Sequence, residues 1–222
     1  MGQSHSVRQR TRGSLTPILF GVVPFILASV HILALPLWLP VRDLASKMVT
    51  DDSFYYLKIA RSLALEGRQT FDGLNWTNGF HPLWGWALAG GILPVRHQSL
   101  DFLFRYSLFL NGIVMVGAGF LFCFAFRRWY PRDWVWGLPL FAGFCFFPNY
   151  YLMECGLFLL LIAASILSMP LPGERPSRYG DCLLFGLALG GLILSRLDGV
   201  FTALALFAFP FFLFLARREY GR

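Results

Sequence analysis

The sequence predicts an all-α fold: a polytopic bundle of about six transmembrane spans, with an amphipathic juxtamembrane helix in a long first outer loop. Three observations lead there. Of the 222 residues, 56% are hydrophobic and only 14% charged, and the mean hydropathy is +0.58, a balance unusual for a soluble domain. Apolar runs near 15–39, 101–126, 133–148, 155–171, 182–197 and 200–216 approach the roughly 20 helical residues that a bilayer requires. Finally, the basic residues are scattered between these runs. The net charge of +7 therefore speaks for membrane topology and against a nucleic-acid partner.

Taken in order, the first dozen residues, MGQSHSVRQRTR, have the basic character of a signal-peptide start. The apolar run that follows, from about Leu15 to Leu39, is too long for a signal core and meets no small-residue cleavage site before Pro40. It reads as a retained anchor behind a cytoplasmic tail, residues 1–14. In lipid each run must be helical to satisfy its own backbone groups, with Pro17, Pro24, Pro36 and Pro210 tolerated as kinks. If Arg8, Arg10 and Arg12 stay inside, simple alternation puts Arg127, Arg128 and Arg132, then Arg175 and Arg178, then Arg217, Arg218 and Arg222 on the same side. The connections around 149–154 and 198–199 carry acids and no Lys or Arg, which makes them outer turns.

The outer face thus receives the loop 40–100, Glu154, the turn with Arg196 and Asp198, and the helix end bearing Arg105. His81–Val95 is too short and glycine-rich to span. It suits a half-inserted or surface-lying helix, with Trp84 and Trp86 at headgroup level. Cys123, Cys145, Cys155 and Cys182 show no CxxC pairing and no nearby histidine, and read as small buried hydrophobes. Charge gathered at one surface, with no paired broken half-helices, argues against a secondary transporter.

The polar stretch DDSFYYLKIARSLALEGRQTFDGLNWTNGFHPLW, Asp51 to Trp84, stands apart from the rest. Tyr56, Ile59, Ala60 and Leu63 fall at helical spacing on one face, with Lys58 and Arg61 opposite. The helix is expected to end near Gly67, before a loop punctuated by Asp-Gly and Asn-Gly. Asp51 and Asp52 have a plain role as caps of this helix. Lys58 and Arg61 have one as headgroup contacts, and His81 one as an interfacial residue. Asn75-Trp76-Thr77 also fits an N-glycosylation sequon. What favours chemistry is convergence: Asp51, Asp52, His81, Glu154, Arg196 and Asp198 are distant in sequence, yet topology assigns them to one membrane surface. Ionisable groups there are costly unless paired or used. A carboxylate can take a proton from an acceptor, and a nearby cation can hold a phosphate.

This opening, D-D-x-x-Y-Y-x-x-x-A-R followed by T-N-G-F-H-P-L-W, resembles the first outer loop of GT-C-type integral membrane glycosyltransferases. MECGLF (Met153–Phe158) is similar to that family's M-E-T-G-L turn, with Cys155 in place of threonine, and SRLDG (Ser195–Gly199) to its A-R-L-D turn. Aminoarabinose transferases and protein O-mannosyltransferases share the layout more distantly. The resemblance implies transfer of a sugar from a polyprenyl-phosphate carrier to a glycan, lipid or protein acceptor at the non-cytoplasmic face, in a bacterial inner membrane. It implies Asp51 as base with Asp52 as partner or stand-in, and substrate contacts from Tyr56, Lys58, Arg61, Asn78, His81, Arg105, Glu154, Arg196 and Asp198. Some such enzymes use a divalent cation, Mg or Mn, for which Asp51, Asp52 and Glu154 offer hard oxygen ligands. Members usually run to about twice this length, so residues 15–222 are expected to be the amino-terminal half of such a domain. The alternative is a non-catalytic carrier-binding or assembly subunit that keeps only the outer groove.

Overall fold

The computed structural model describes residues 15–129, 152–170 and 179–220, which hold eight α-helices and no named strand. The expected span at 133–148, Cys145, Arg8, Arg10, Arg12, Arg132, Arg175, Arg178 and Arg222 lie outside the described residues, as do the side chains of Arg217 and Arg218. The helices are α1 (Leu15–Trp38), α2 (Val41–Lys47), α3 (Asp51–Glu66), α4 (Pro82–Ile92), α5 (Leu100–Trp129), α6 (Cys155–Ser168), α7 (Tyr179–Ser195) and α8 (Gly199–Tyr220). Two of them are long and apolar enough to cross a membrane, over Leu100–Arg128 and Gly199–Ala216. α6 and α7 are apolar but shorter, as is Val22–Trp38 within α1. α1 continues through Pro24 and Pro36, and α8 through Pro210.

Side-chain contacts give the directions of the long helices. Between α1 and α5, Phe25 meets Phe120 edge-on with ring centroids 4.9 Å apart, while Arg105 reaches Pro36 at the opposite end. The pair is therefore antiparallel. Gly112 allows the approach: a Cβ there would lie 2.8 Å from Ile32 Cγ2. α6 runs parallel to α5, since Gly156 packs on Asn111 and Met115 and Arg128 reaches Ile166 to Met169. α7 returns antiparallel to α6, with Gly191 against Leu161 and Arg196 back beside Cys155.

Two arginines close helix ends. The carbonyls in the last turn of a helix have no intrahelical donor. Arg128 supplies three hydrogen bonds at the end of α6, from Nη1 to the Ile166 and Leu167 oxygens at 3.0 and 2.7 Å and from Nη2 to Met169 O at 2.8 Å. Arg128→Gln is expected to lower stability by about 3 kcal/mol, because an amide cannot span three acceptors and some are left buried without donors. Thermal unfolding in detergent measures this, and an unchanged midpoint would mean the carbonyls are otherwise satisfied. Arg105 acts likewise at α1. Pro36 O would normally accept from the amide of residue 40, but Pro40 has none. The Arg105 guanidinium takes that place at 2.7 Å.

At the end of the bundle formed by the C-termini of α1 and α7 and the N-termini of α5, α6 and α8, the helices α2 to α4 form a cap. α3 buries Tyr56, Ile59 and Ala60 of the expected face, with Leu57 beside them and Leu63 half-buried, and packs mainly on α4. It ends at Gly67 in the left-handed conformation, φ 67°, whose amide returns to Leu63 O at 3.0 Å. A strained or glycine-only backbone is what such a stop requires. In contrast, α8 leaves Phe201, Phe207, Phe211, Phe212 and Phe214 exposed. So large an uncovered apolar face suits lipid or further protein.

Candidate functional site

The capping helices bring residues of three separate segments together at that end. Glu154 is the residue before α6 and is only 2% exposed. Its Oε1 lies 3.4 Å from Arg196 Nη1 and 3.7 Å from His81 Nε2. Arg196 sits in the turn between α7 and α8 and holds Asp198 with two bonds, Nε to Oδ1 at 2.8 Å and Nη2 to Oδ2 at 3.2 Å. Its Nη1 also reaches Cys155 Sγ at 3.7 Å, and its guanidinium lies 5.8 Å from the centre of the Phe158 ring. One cation thus bridges a buried and an exposed carboxylate. The guanidinium's hydrogen bonds hold the Asp198 carboxyl below the usual carboxylate range.

α3 supplies the opposite wall. Tyr56 is buried, its hydroxyl oxygen accepts the His81 amide at 3.3 Å, and its ring stacks toward the imidazole with centroids 6.3 Å apart. Burial, then the charges of Glu154 and Asp52, raise the Tyr56 hydroxyl above its ordinary pKa and keep it protonated. Asp52, Tyr56, Asn78, His81, Met153 and Leu197 line a cavity of about 460 Å³. Glu154, Arg196 and Asp198 adjoin it through His81. Asp51 is exposed and does not line it. The N-cap of α3 is Thr50, without a capping bond, and the two aspartates occupy its first turn, where they favour the helix dipole rather than cap.

Three expected contacts lie elsewhere. Lys58 and Arg61 face away from Glu154, into a second cavity of about 540 Å³ between α3, the loop at 70–73 and the start of α5. Lys58 rests over the Phe71 ring, 4.7 Å from its centre. Arg105 is committed to Pro36 O. The Asn75 amide and Thr77 hydroxyl of the sequon are both engaged within the fold, donating to Asp72 Oδ2 at 2.8 Å and pairing with Tyr55 Oη at 2.6 Å. Asp72 organises that loop, accepting also from the Leu74 and Asn75 amides at 2.8 Å. These bonds pull its carboxyl well below the ordinary range.

Two sequence expectations need correction. Trp84 does not lie at a headgroup surface; it is 3% exposed and donates its indole N–H to Leu152 O at 3.1 Å, while Trp86 is exposed. An indole buried on the inner face of α4 needs such an acceptor. Leu152 takes a positive φ of 65°, costly for a branched side chain, so the Trp84 bond helps hold the turn that presents Glu154. Nor are the cysteines uniformly buried: Cys123 is, Cys155 is half-buried beside Arg196, and Cys182 is exposed on the outward face of α7 with Leu183 and Leu184. Asn111 and Ser107, buried on α5, had no sequence signal beyond being polar residues inside an apolar run.

Among the described residues no group of three or more His, Cys, Asp or Glu side chains is arranged to hold a metal. Glu154 Oε1 is already faced by Arg196 and His81, a poor setting for a divalent cation. No family model, curated protein or solved structure matches the chain.

Proposed function

We propose that this protein is a GT-C-type membrane glycosyltransferase. It would move a sugar from a polyprenyl-phosphate carrier to a glycan, lipid or protein acceptor at the outer face of a bacterial inner membrane. In this reading α1, α5, α6, α7 and α8, together with the apolar run at 133–148, form six spans, and α2 to α4 lie on their outer end. One observation carries the proposal. The three motifs on which the resemblance rests, from the first loop, the MECG turn and the SRLDG turn, converge on one cavity, with Asp52 and His81 in its wall and Glu154, Arg196 and Asp198 beside it.

Of the two aspartates, Asp52 is the better base because it lines the cavity and Asp51 does not. Asp52 accepts the proton of the acceptor hydroxyl or amine as that atom bonds to the anomeric carbon. The bond from that carbon to the carrier phosphate breaks, and configuration inverts. The leaving phosphate gathers charge, for which Arg196 is the nearest guanidinium and His81 the nearest imidazole. Glu154 keeps both in place. Lys58 and Arg61, on the other side of α3, are left to the carrier's membrane surroundings rather than to the reacting phosphate.

The test is release of polyprenyl phosphate from a synthetic polyprenyl-phosphate hexose, by the full chain in proteoliposomes supplied with a membrane acceptor extract. Asp52→Asn should lower the rate by about 10²- to 10⁴-fold, and Asp51→Asn by far less. Undiminished turnover in Asp52→Asn rejects the base. Tight carrier binding with no turnover in the unaltered chain would instead support a carrier-binding subunit.

A further inference from the structure

Few buried side-chain polar atoms lack a hydrogen-bond partner among the described residues, and most of them sit at one level of the bundle. They are Ser107 Oγ, Asn111 Nδ2, Asn111 Oδ1 and Glu154 Oε2, joined elsewhere by Arg61 Nε. Ser107 and Asn111 are fully buried, and Glu154 is 2% exposed. Serine and asparagine here are one turn apart on α5 and so share a face. That face meets α6: a Cβ on Gly156 would lie 3.3 Å from Asn111 Oδ1 and 3.0 Å from Met115 Sδ. Because α5 and α6 run parallel, Glu154, two residues before Gly156, stands about 3 Å nearer the Ser107 end. The start of α6 is thus level with the turn that carries the two orphaned side chains.

The cost of leaving this arrangement dry is large. Each buried polar group without a partner costs about 1–3 kcal/mol, and a charged one more. Arg196 and His81 both approach Oε1, which does nothing for Oε2. The Tyr56 hydroxyl lies within hydrogen-bonding reach of the Glu154 carboxyl, whereas the side chains of Ser107 and Asn111 have no partner. An asparagine amide and a serine hydroxyl one turn apart offer both donors and acceptors, the mixture that holds water rather than an ion. A cation would meet Arg196, and an anion would meet Glu154.

We propose that internal water occupies the α5–α6 seam, hydrogen-bonded to Asn111 and Ser107. The site requires Gly156, which leaves the Asn111 amide uncrowded. It is independent of any assignment of activity.

X-ray radiolytic footprinting of the intact chain in detergent tests this, since hydroxyl radicals form where water is bound and oxidise the nearest sulfur. Met115 is 7% exposed and adjoins Asn111 and Gly156; Cys123, 4% exposed on the same helix, lies in an apolar setting. Met115 should be oxidised readily to the sulfoxide while Cys123 is spared, although a thiol is the more reactive group. Asn111→Leu, which removes both amide partners, should slow Met115 oxidation by about tenfold. Met115 as inert as Cys123 in the unaltered chain overturns the proposal without any variant. So does an Asn111→Leu chain that folds, unfolds at a higher temperature than the parent and labels Met115 at the parental rate.

Discussion

Gly199→Ala is expected to damage this fold more than any other one-carbon change at a described glycine. A methyl group at that position would interpenetrate the Leu192 carbonyl oxygen and lie 2.7 Å from its carbon and 3.3 Å from Phe158 Cε2. The first two obstacles are backbone and cannot rotate aside. The turn between α7 and α8 would have to open, and with it the amide bond from Arg196 to Leu192 O, now 3.3 Å. A loss beyond about 3 kcal/mol follows from overpacking against a fixed main chain. Gly190→Ala is the matched comparison, because nothing lies within 4 Å of its added carbon and alanine favours a helix by up to about 1 kcal/mol. The measurement is the unfolding midpoint of both variants in detergent. If the two behave alike, the close approach of Gly199 to Leu192 is not a feature of the folded protein.

Arg196→Met carries the second large effect. It leaves Glu154, a carboxylate whose side chain is 3% exposed, with the 3.7 Å contact from His81 and the neutral Tyr56 hydroxyl but no guanidinium. Removing one partner of a buried pair typically costs about 3–5 kcal/mol, because the other charge remains out of water. Adding Glu154→Gln should therefore restore much of what Arg196→Met removes. Asp198 will not show the same rescue, since its side chain is 61% exposed and water replaces the lost guanidinium. The thermodynamic cycle over the single and double variants reads this directly. Additive losses at Arg196 and Glu154 would show that the pair does not share the burden of burial.

Much of this arrangement could be read from residue order, because local rules and membrane topology act over short ranges. The stripe Tyr56, Ile59, Ala60, Leu63 marked the inner face of α3, and Gly67 its end. Alternating basic residues placed Asp52, His81, Glu154, Arg196 and Asp198 at one end of the helices, where the structure has them. What was illegible depended on neighbours from distant segments. Arg105 looked free for a ligand because its acceptor, Pro36 O, is orphaned only through Pro40, and neither proline lies near it in sequence. Trp84 looked interfacial because nothing local announced the Leu152 carbonyl it would meet. The division between Asp51 and Asp52 was equally hidden. Adjacent helical positions point about 100° apart, and only the packing of α3 on α4 decides which one borders the cavity.

The bond between Arg105 and Pro36 also bears on the order in which the chain assembles. During synthesis α1 forms with a carbonyl that its own helix cannot satisfy, and the donor follows 69 residues later. Until α5 emerges, the end of α1 must stay wet or frayed. Docking of α5 then seals the end of α1 and commits the Arg105 guanidinium to it. Completion of α1 is thereby tied to the arrival of its partner, not to its own folding.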